Sequence, residues 1–398
     1  MNNILELSGK CYGCSACAVL CPVKAISMVK NEEGFFYPTV NENVCLSCGI
    51  CKKVCDKEKP FFEKTQHKKT LALQSSDIKN LKESSSGGIA SSLSEYFVKN
   101  GGYVLGAYFD LANNIVETKV TNKASDLELF KTSKYLQAYF FTGLSEAIQI
   151  AREDKKAVFL IFGTPCQIKG AYNICNFYNV LERFIFVDFF CHGVPSYLAW
   201  NAYLADKKIS RDDLKYVSFR TKKNGWHSCY VMNVADSKKE FFSPSGKDYF
   251  YNAFFDNVFL MQSCYQCKFR KGYSNADLRL GDYWGKRYIK NSDGVSSVLI
   301  FTEKGAEILD KIESKELPSG DDVFFAQSTE NYFEEKFRTD AFGYLKETNS
   351  LKQTIKFYRK KFPVKKRIIL KSKTILSTLL SPKALSKLKS FRWKIKRG

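Results

Sequence analysis

Cys11, Cys14, Cys17 and Cys21 are followed at once by Pro22, and Cys45, Cys48, Cys51 and Cys55 repeat that spacing 34 positions later. Eight thiolates in two Cys-x-x-Cys-x-x-Cys-x-x-x-Cys runs are the pattern that holds two cubane [4Fe-4S] clusters. Three cysteines spaced by two residues wrap a tight loop around one cube, with backbone N–H groups turned inward to stabilise its negative charge. The fourth ligand crosses from the other run. The spacing therefore groups Cys11, Cys14 and Cys17 with Cys55, and Cys45, Cys48 and Cys51 with Cys21. Asp56 stands where the first run has Pro22, a residue that stiffens a turn and binds no iron. A zinc ribbon, which lacks the three-plus-one grouping, and a disulfide framework are the rival readings of these residues.

The elements that must position further chemistry follow in order. Ser84-Ser85-Ser86-Gly87-Gly88 opens a segment, Ile89 to Val98, whose apolar residues recur at helical spacing until Gly101-Gly102. A Gly-rich helix start of this kind suits a phosphate or pyrophosphate, though a serine cap with two glycines also opens many helices that bind nothing. Gly102 to Phe109 and Ile115 to Thr121 read as a hairpin, and Gly143 to Ala151 as a helix. Ala157 to Phe162 and Phe184 to Phe190 are continuous apolar runs of strand length with a helical stretch between them, which predicts a parallel α/β unit. That unit places Cys166 and Cys191 just past the carboxyl ends of their strands, the edge where ligands bind in such sheets. Tyr216 to Val234 reads as antiparallel with a turn at Asn224-Gly225, and strands are expected within Ala276 to Gly285 and at Ser296 to Thr302.

At 398 residues and 44% apolar, the chain has room for two or three cores. No stretch reaches the 18 or so apolar residues of a membrane span, and Met1 to Lys10 has no apolar region of a signal peptide. Fourteen cysteines without an export signal point to a reducing cytoplasm. The net charge of +21 is concentrated: residues 351–398 carry 17 Lys or Arg and no acid.

Gly163-Thr164-Pro165-Cys166-Gln167, Cys191-His192-Gly193-Val194-Pro195-Ser196, Cys264-Tyr265-Gln266-Cys267 and Gly281-Asp282-Tyr283-Trp284-Gly285, in that order, resemble the coenzyme F420 hydrogenase/dehydrogenase beta-subunit family. Ser85-Ser86-Gly87-Gly88 and Ser133-Lys134-Tyr135 also match its pattern, and the resemblance runs over about residues 1–320, fused ferredoxin head included. It implies a flavoprotein that binds FAD beside a [4Fe-4S] cluster and exchanges a hydride with coenzyme F420 or acts on another acceptor; relatives of this layout look like those of polysaccharide-synthesis loci. It further implies that Cys166, Cys191, Cys264 and Cys267 hold a third cube, where the residues alone leave buried thiols and a lone Cys-x-x-Cys pair equally open. Cys175 and Cys229 match no motif and read as packed thiols. Ser85, Ser86, Gly87, Gly88, Ser133, Lys134 and Tyr135 are the implied FAD contacts, Lys134 offering positive charge to the pyrophosphate or the reduced ring. His192 reads as a proton relay or a structural residue.

The expected architecture is α+β: a bacterial-ferredoxin-like domain over residues 1–60, a mixed α/β flavin-binding domain in two parts, 70–155 and 156–320, and a basic helical extension over 321–398. The basic amphipathic segment 351–398 suits an anionic membrane surface from the cytoplasmic side, with no nucleic acid expected because no nucleic-acid fold accompanies the charge. The partner implied is a redox protein or small electron carrier. An electron-transfer subunit serving a separate catalytic partner, and a scaffold with an empty flavin pocket, are the alternatives.

Overall fold

The computed structural model describes residues 11–55, 66–271, 274–320, 322–323 and 337–379. Most of the linker expected at 57–70 and the stretch 380–398 lie outside the described residues.

The 34-residue repeat in the head is a repeat of backbone as well as of sequence. Left-handed conformations occur at Gly13 and Ser15 and again at Ser47 and Gly49, each pair leading into a short helix, Ala16–Val19 and Ile50–Val54. The same twist bends each cysteine loop. Between the loops run the antiparallel strands β1 (Ile26–Lys30) and β2 (Phe36–Val40).

The body is built on one nine-stranded mixed sheet. Its strands are β3 (Lys69–Ser75), β4 (Tyr103–Asp110), β5 (Ile115–Thr121), β6 (Ala138–Tyr139), β7 (Phe159–Phe162) and β8 (Phe184–Phe189). After a separate three-stranded sheet of β9 (Leu214–Arg220), β10 (Tyr230–Asp236) and β11 (Glu240–Pro244), the chain returns with β12 (Leu278–Asp282), β13 (Ser296–Ile300) and β14 (Ser314–Leu317). The order in the large sheet is β14-β3-β13-β12-β8-β7-β4-β5-β6. Strands β12, β8, β7 and β4 are mutually parallel, and β3 runs with them because β13 is antiparallel to both β12 and β3. Five carboxyl ends therefore gather on one edge. The parallel unit expected around Cys166 and Cys191 is β7–helix–β8, whereas β9 and β10 are joined by a longer loop with a helical turn at Trp226–Ser228 instead of a tight hairpin.

The apolar runs in β7 and β8 are continuous because both faces of the sheet are covered. Leu105, Ile161, Phe184 and Phe186 meet the helices Phe141–Glu153 and Pro165–Phe177 together with Ala16, Leu20 and Val54 of the head. Their neighbours Val104, Leu160, Ile185 and Val187 meet the helix Ile89–Lys99 on the other side. A third core joins Phe35 and Phe36 of the head to the helices Tyr197–Lys207, Tyr249–Asp256, Arg338–Thr348 and Leu351–Lys360.

That last core corrects the reading of 351–398 as one membrane-facing tail. Leu351, Ile355, Tyr358 and Phe362 are buried in it, so the apolar side of the first helix is covered by protein. Exposed apolar residues begin later, at Val364, Ile368 and Ile369. Among the described residues no helix is long and apolar enough to cross a membrane.

Candidate functional site

Thr164, two residues past β7, caps the helix Pro165–Phe177 reciprocally with Gln167, with proline at the first helical position. Cys166 thus stands in the first turn, its Sγ 3.1 Å from Thr164 Oγ1. Cys191 lies two residues beyond β8, and Cys264 closes a helical turn, Gln262–Cys264, that leads to Cys267. These three segments bring Cys166, Cys191, Cys264 and Cys267 around one cavity, of about 680 Å³ of atom-free space partly open to solvent, with Tyr12, Gln137, Arg270 and Arg279 in its wall. A second cavity, of about 550 Å³, is lined by Cys11, Cys14, Cys17 and Cys55 and also by Cys166 and Gly170. Of the other head cysteines, Cys51 is buried, Cys21 and Cys45 are half-buried and Cys48 is exposed.

Among the described residues, no three His, Cys, Asp or Glu side chains converge on a point where one metal ion could sit. A cubane cluster asks for something else, because each thiolate binds a different iron corner and the sulfurs ring a cavity. The donors fit such a group. Backbone N–H groups reach sulfur at Gly13 to Cys11 and Ala25 to Cys21, both 3.2 Å. Burial pushes the Cys191 thiol up to about 11, Cys264 to about 12, and Cys166 and Cys17 well above the ordinary range, so a bound metal must displace their protons. Positive charge is built in beside them: Arg279 donates to both oxygens of the fully buried Asp188 at 2.6 and 2.7 Å, and Arg270 donates to the carbonyl of His192.

The residues singled out for flavin are brought together only in part. Ser133 donates through its N–H to Ser85 Oγ at 3.0 Å, and Ser86 donates to the carbonyl of Val295 at 3.0 Å. Gly87 and Gly88 are buried, and a Cβ on Gly87 would stand 2.4 Å from the carbonyl oxygen of Leu73 and 2.5 Å from the nitrogen of Ser296. Close packing of the loop on β3 and β13 accounts for that glycine without a ligand. Lys134 is turned onto its own loop, donating to the carbonyls of Leu129 and Lys131 at 3.0 and 2.7 Å, and burial lowers its ammonium to about 7. His192 lies 2.5 Å from Asn257 Oδ1 and is held by burial at about 4, while His227 meets the carbonyl of Tyr288 at 2.9 Å.

The carboxyl edge holds a group that sequence reasoning missed. Arg220, at the end of β9, donates to Asp282 at 2.8 and 3.2 Å and to the carbonyl of Ser85 at 2.9 Å, and Trp226 donates to the same aspartate at 2.7 Å. The guanidinium lies 4.7 Å from the Tyr230 ring and 5.9 Å from that of Trp284, and Trp284 stacks on Trp226 at 4.6 Å. Its Nε is buried with no hydrogen-bond partner among the described residues. Lys222, two residues on, donates to the carbonyl of Ser86 at 2.8 Å. Tyr135 joins this patch, 5.9 Å from Tyr230 and 5.2 Å from Phe254, whose ring is 4.7 Å from His192. An aromatic run therefore extends from Cys191 to the Ser85 loop. Asp282 was visible in its motif, but an arginine closing an amphipathic strand carries no signal in sequence. Cys229 is buried and accepts from Arg220 at 2.6 Å; Cys175 is fully buried, as expected of packed thiols.

Residues 157–319 match the family model for the C terminus of the coenzyme F420 hydrogenase/dehydrogenase beta subunit, and residues 10–58 match the 4Fe-4S dicluster domain. A curated relative, the coenzyme F420-dependent sulfite reductase of Methanocaldococcus jannaschii, is 25% identical over 349 residues, which are 79% of this chain and 48% of that protein. The chain thus spans about half the length of that relative. A chain of the F420-reducing [NiFe] hydrogenase complex from Methanosarcina barkeri, solved in a xenon-derivatised form, aligns over 74% of this chain and 91% of its own at 19% identity and a TM-score of 0.47.

Proposed function

We propose, for a chain that joins a 4Fe-4S dicluster domain to the C-terminal domain of the coenzyme F420 hydrogenase/dehydrogenase beta-subunit family, an iron-sulfur flavoprotein oxidoreductase. It passes electrons between a ferredoxin-like or deazaflavin donor and an acceptor, and the sequence resemblance suggests polysaccharide assembly as its setting. The observation that carries the reading is the convergence of four cysteines from three separated segments on one cavity at the carboxyl edge. The eight head cysteines and Cys166, Cys191, Cys264 and Cys267 are assigned to three cubes. FAD is assigned to the aromatic patch beside Ser85, Ser133 and Tyr135, where, when bound, it would supply the exchange between single-electron and hydride chemistry.

The chain's own residues do the rest. Arg270 and Arg279 offset the negative charge that four thiolates bring into a buried pocket. Arg220 presents positive charge against the rings of Tyr230 and Trp284, and would hold that charge beside a bound flavin. Phe254 and Tyr135, 5.2 Å apart, link the two sites through ring contacts. Val364, Ile368 and Ile369, set among Lys365, Lys366 and Arg367, are the surface assigned to anionic lipid.

Anaerobic purification followed by iron, sulfide and flavin analysis tests the reading. About 12 irons per chain with FAD are expected; zinc in place of iron refutes the cluster assignment, and flavin-free protein refutes the flavoprotein. A second reading, an electron-transfer subunit without a substrate of its own, draws on the exposed Cys48 and Leu46 at the outer end of the head. Turnover of a small acceptor by the isolated chain decides against it.

A further inference from the structure

Two cavities that belong to different parts of the chain share their wall. Tyr12, Cys166 and Phe269 line both. Tyr12 comes from the head, between Cys11 and Gly13, yet its ring reaches the body's cavity; Phe269 comes from the body, two residues past Cys267, yet it reaches the head's. The two rings meet edge to face at 5.4 Å.

The helix Pro165–Phe177 holds the two sides together. Cys166 and Gly170 are one turn apart and so lie on one face. A Cβ at Gly170 would stand 2.9 Å from Cys14 Sγ and 3.1 Å from Cys14 Cβ. Nothing in the backbone demands glycine there, since the position is an ordinary helix interior in which alanine is the better helix former. What demands it is the approach of the head. One further turn along, Asn173 donates to the carbonyl of Val54, next to Cys55, at 2.8 Å. Gln137 fastens the head from another side, accepting from the N–H of Phe36 at 2.7 Å and donating to its carbonyl at 3.0 Å.

We propose that Gly170, with Tyr12 and Phe269, positions the head's inner cysteine pocket a single side chain from the body's pocket, so that electrons cross this wall directly and the other cysteine loop, with Cys48 exposed, is their port to partners. The inference rests on the proposed assignment of cubes to both pockets. Each crossing moves one electron, oxidising one side and reducing the other by one equivalent, with no bond made or broken and no proton transferred. Gly170, Tyr12 and Phe269 are positioning residues in this scheme.

The test uses the full chain, purified anaerobically. Iron analysis first establishes the underlying reading: a wild-type chain with about eight irons, those of the head alone, refutes the third cube and not the wall. With about 12 present, the low-temperature EPR spectrum of the dithionite-reduced protein is compared with that of Cys191→Ser. Loss of line broadening from the head signals in the variant is expected, and identical head signals overturn the proposal. Gly170→Ala and Phe269→Leu are then mixed with reduced methyl viologen in a stopped-flow instrument. Head reduction at the wild-type rate with flavin bleaching severalfold slower is expected. Wild-type bleaching in both variants, with their iron retained, overturns it. Phe269→Leu adds no atom against Cys14 and keeps the test decisive where Gly170→Ala loses iron.

Discussion

Asp188→Asn is the perturbation that asks most of the site. Asp188 is fully buried on β8 and accepts from Arg279 at 2.6 and 2.7 Å and from Ser274 at 2.7 Å. The amide keeps shape and removes charge, leaving a guanidinium, 3% exposed, without its counter-ion. Breaking a buried pair in this way costs about 3–5 kcal/mol. Arg279, however, also lines the cavity of Cys166, Cys191, Cys264 and Cys267. A net anionic group bound there restores part of the compensation: a unit charge a few ångströms away, at an effective dielectric constant of about 20, contributes about 2–4 kcal/mol. Urea unfolding of the iron-free and iron-loaded protein reads the difference. The variant is expected to lose most of that 3–5 kcal/mol without iron and distinctly less with it. A loss below about 1 kcal/mol in the iron-free protein refutes the claim that Asp188 is the main counter-charge of Arg279. Equal losses in the two forms refute the claim that Arg279 serves the pocket.

Ile161→Ala, in the layer between Phe184, Phe186 and the helix Pro165–Phe177, is expected to cost about 2–5 kcal/mol, measured by thermal or urea unfolding. Burial lowers Lys134 from 10.5 to about 7, so the folded protein binds fewer protons than the unfolded chain between those values and stability rises with pH across that window. Lys134→Met is expected to flatten this rise in denaturation midpoints taken from pH 7 to pH 10. Arg220→Met is expected to leave the iron content unchanged and to lower the flavin retained through anaerobic gel filtration; full flavin retention separates Arg220 from that ligand. Removal of residues 364–398 is expected to abolish sedimentation with anionic vesicles, and unchanged sedimentation disposes of the membrane surface.

Local pattern carried much of the fold. The strands around Cys166 and Cys191 were legible because each is a short, continuous apolar run closed by a turn, and the cysteine spacing of the head grouped Cys11, Cys14 and Cys17 with Cys55, the set that lines one cavity. Long-range pairing was not legible. Arg220 finds Asp282 across 62 residues, and Arg338 forms a bidentate pair with Glu33 across 305. The glycines at 87 and 88 were ambiguous for a physical reason: a helix start that cradles an anion and one packed against a sheet call for the same small residues. The extension misled because amphipathic periodicity reports an apolar face and does not say whether lipid or protein covers it. Here Leu351, Ile355 and Tyr358 face protein.

The head's two loops share one backbone, with left-handed turns at 13 and 15 echoed at 47 and 49. As an isolated object it has no front or back. Seating supplies the polarity: one loop is pressed against a helix that has given up a side chain to receive it, and the other presents Cys48 to solvent. On the electron route proposed above, a duplicated, indifferent part thereby becomes a conductor with an inside terminal and an outside terminal. Exchanging the two loop sequences would preserve every cysteine and still put leucine where Tyr12 meets Phe269, so the direction of the assembly is written in the residues between the ligands.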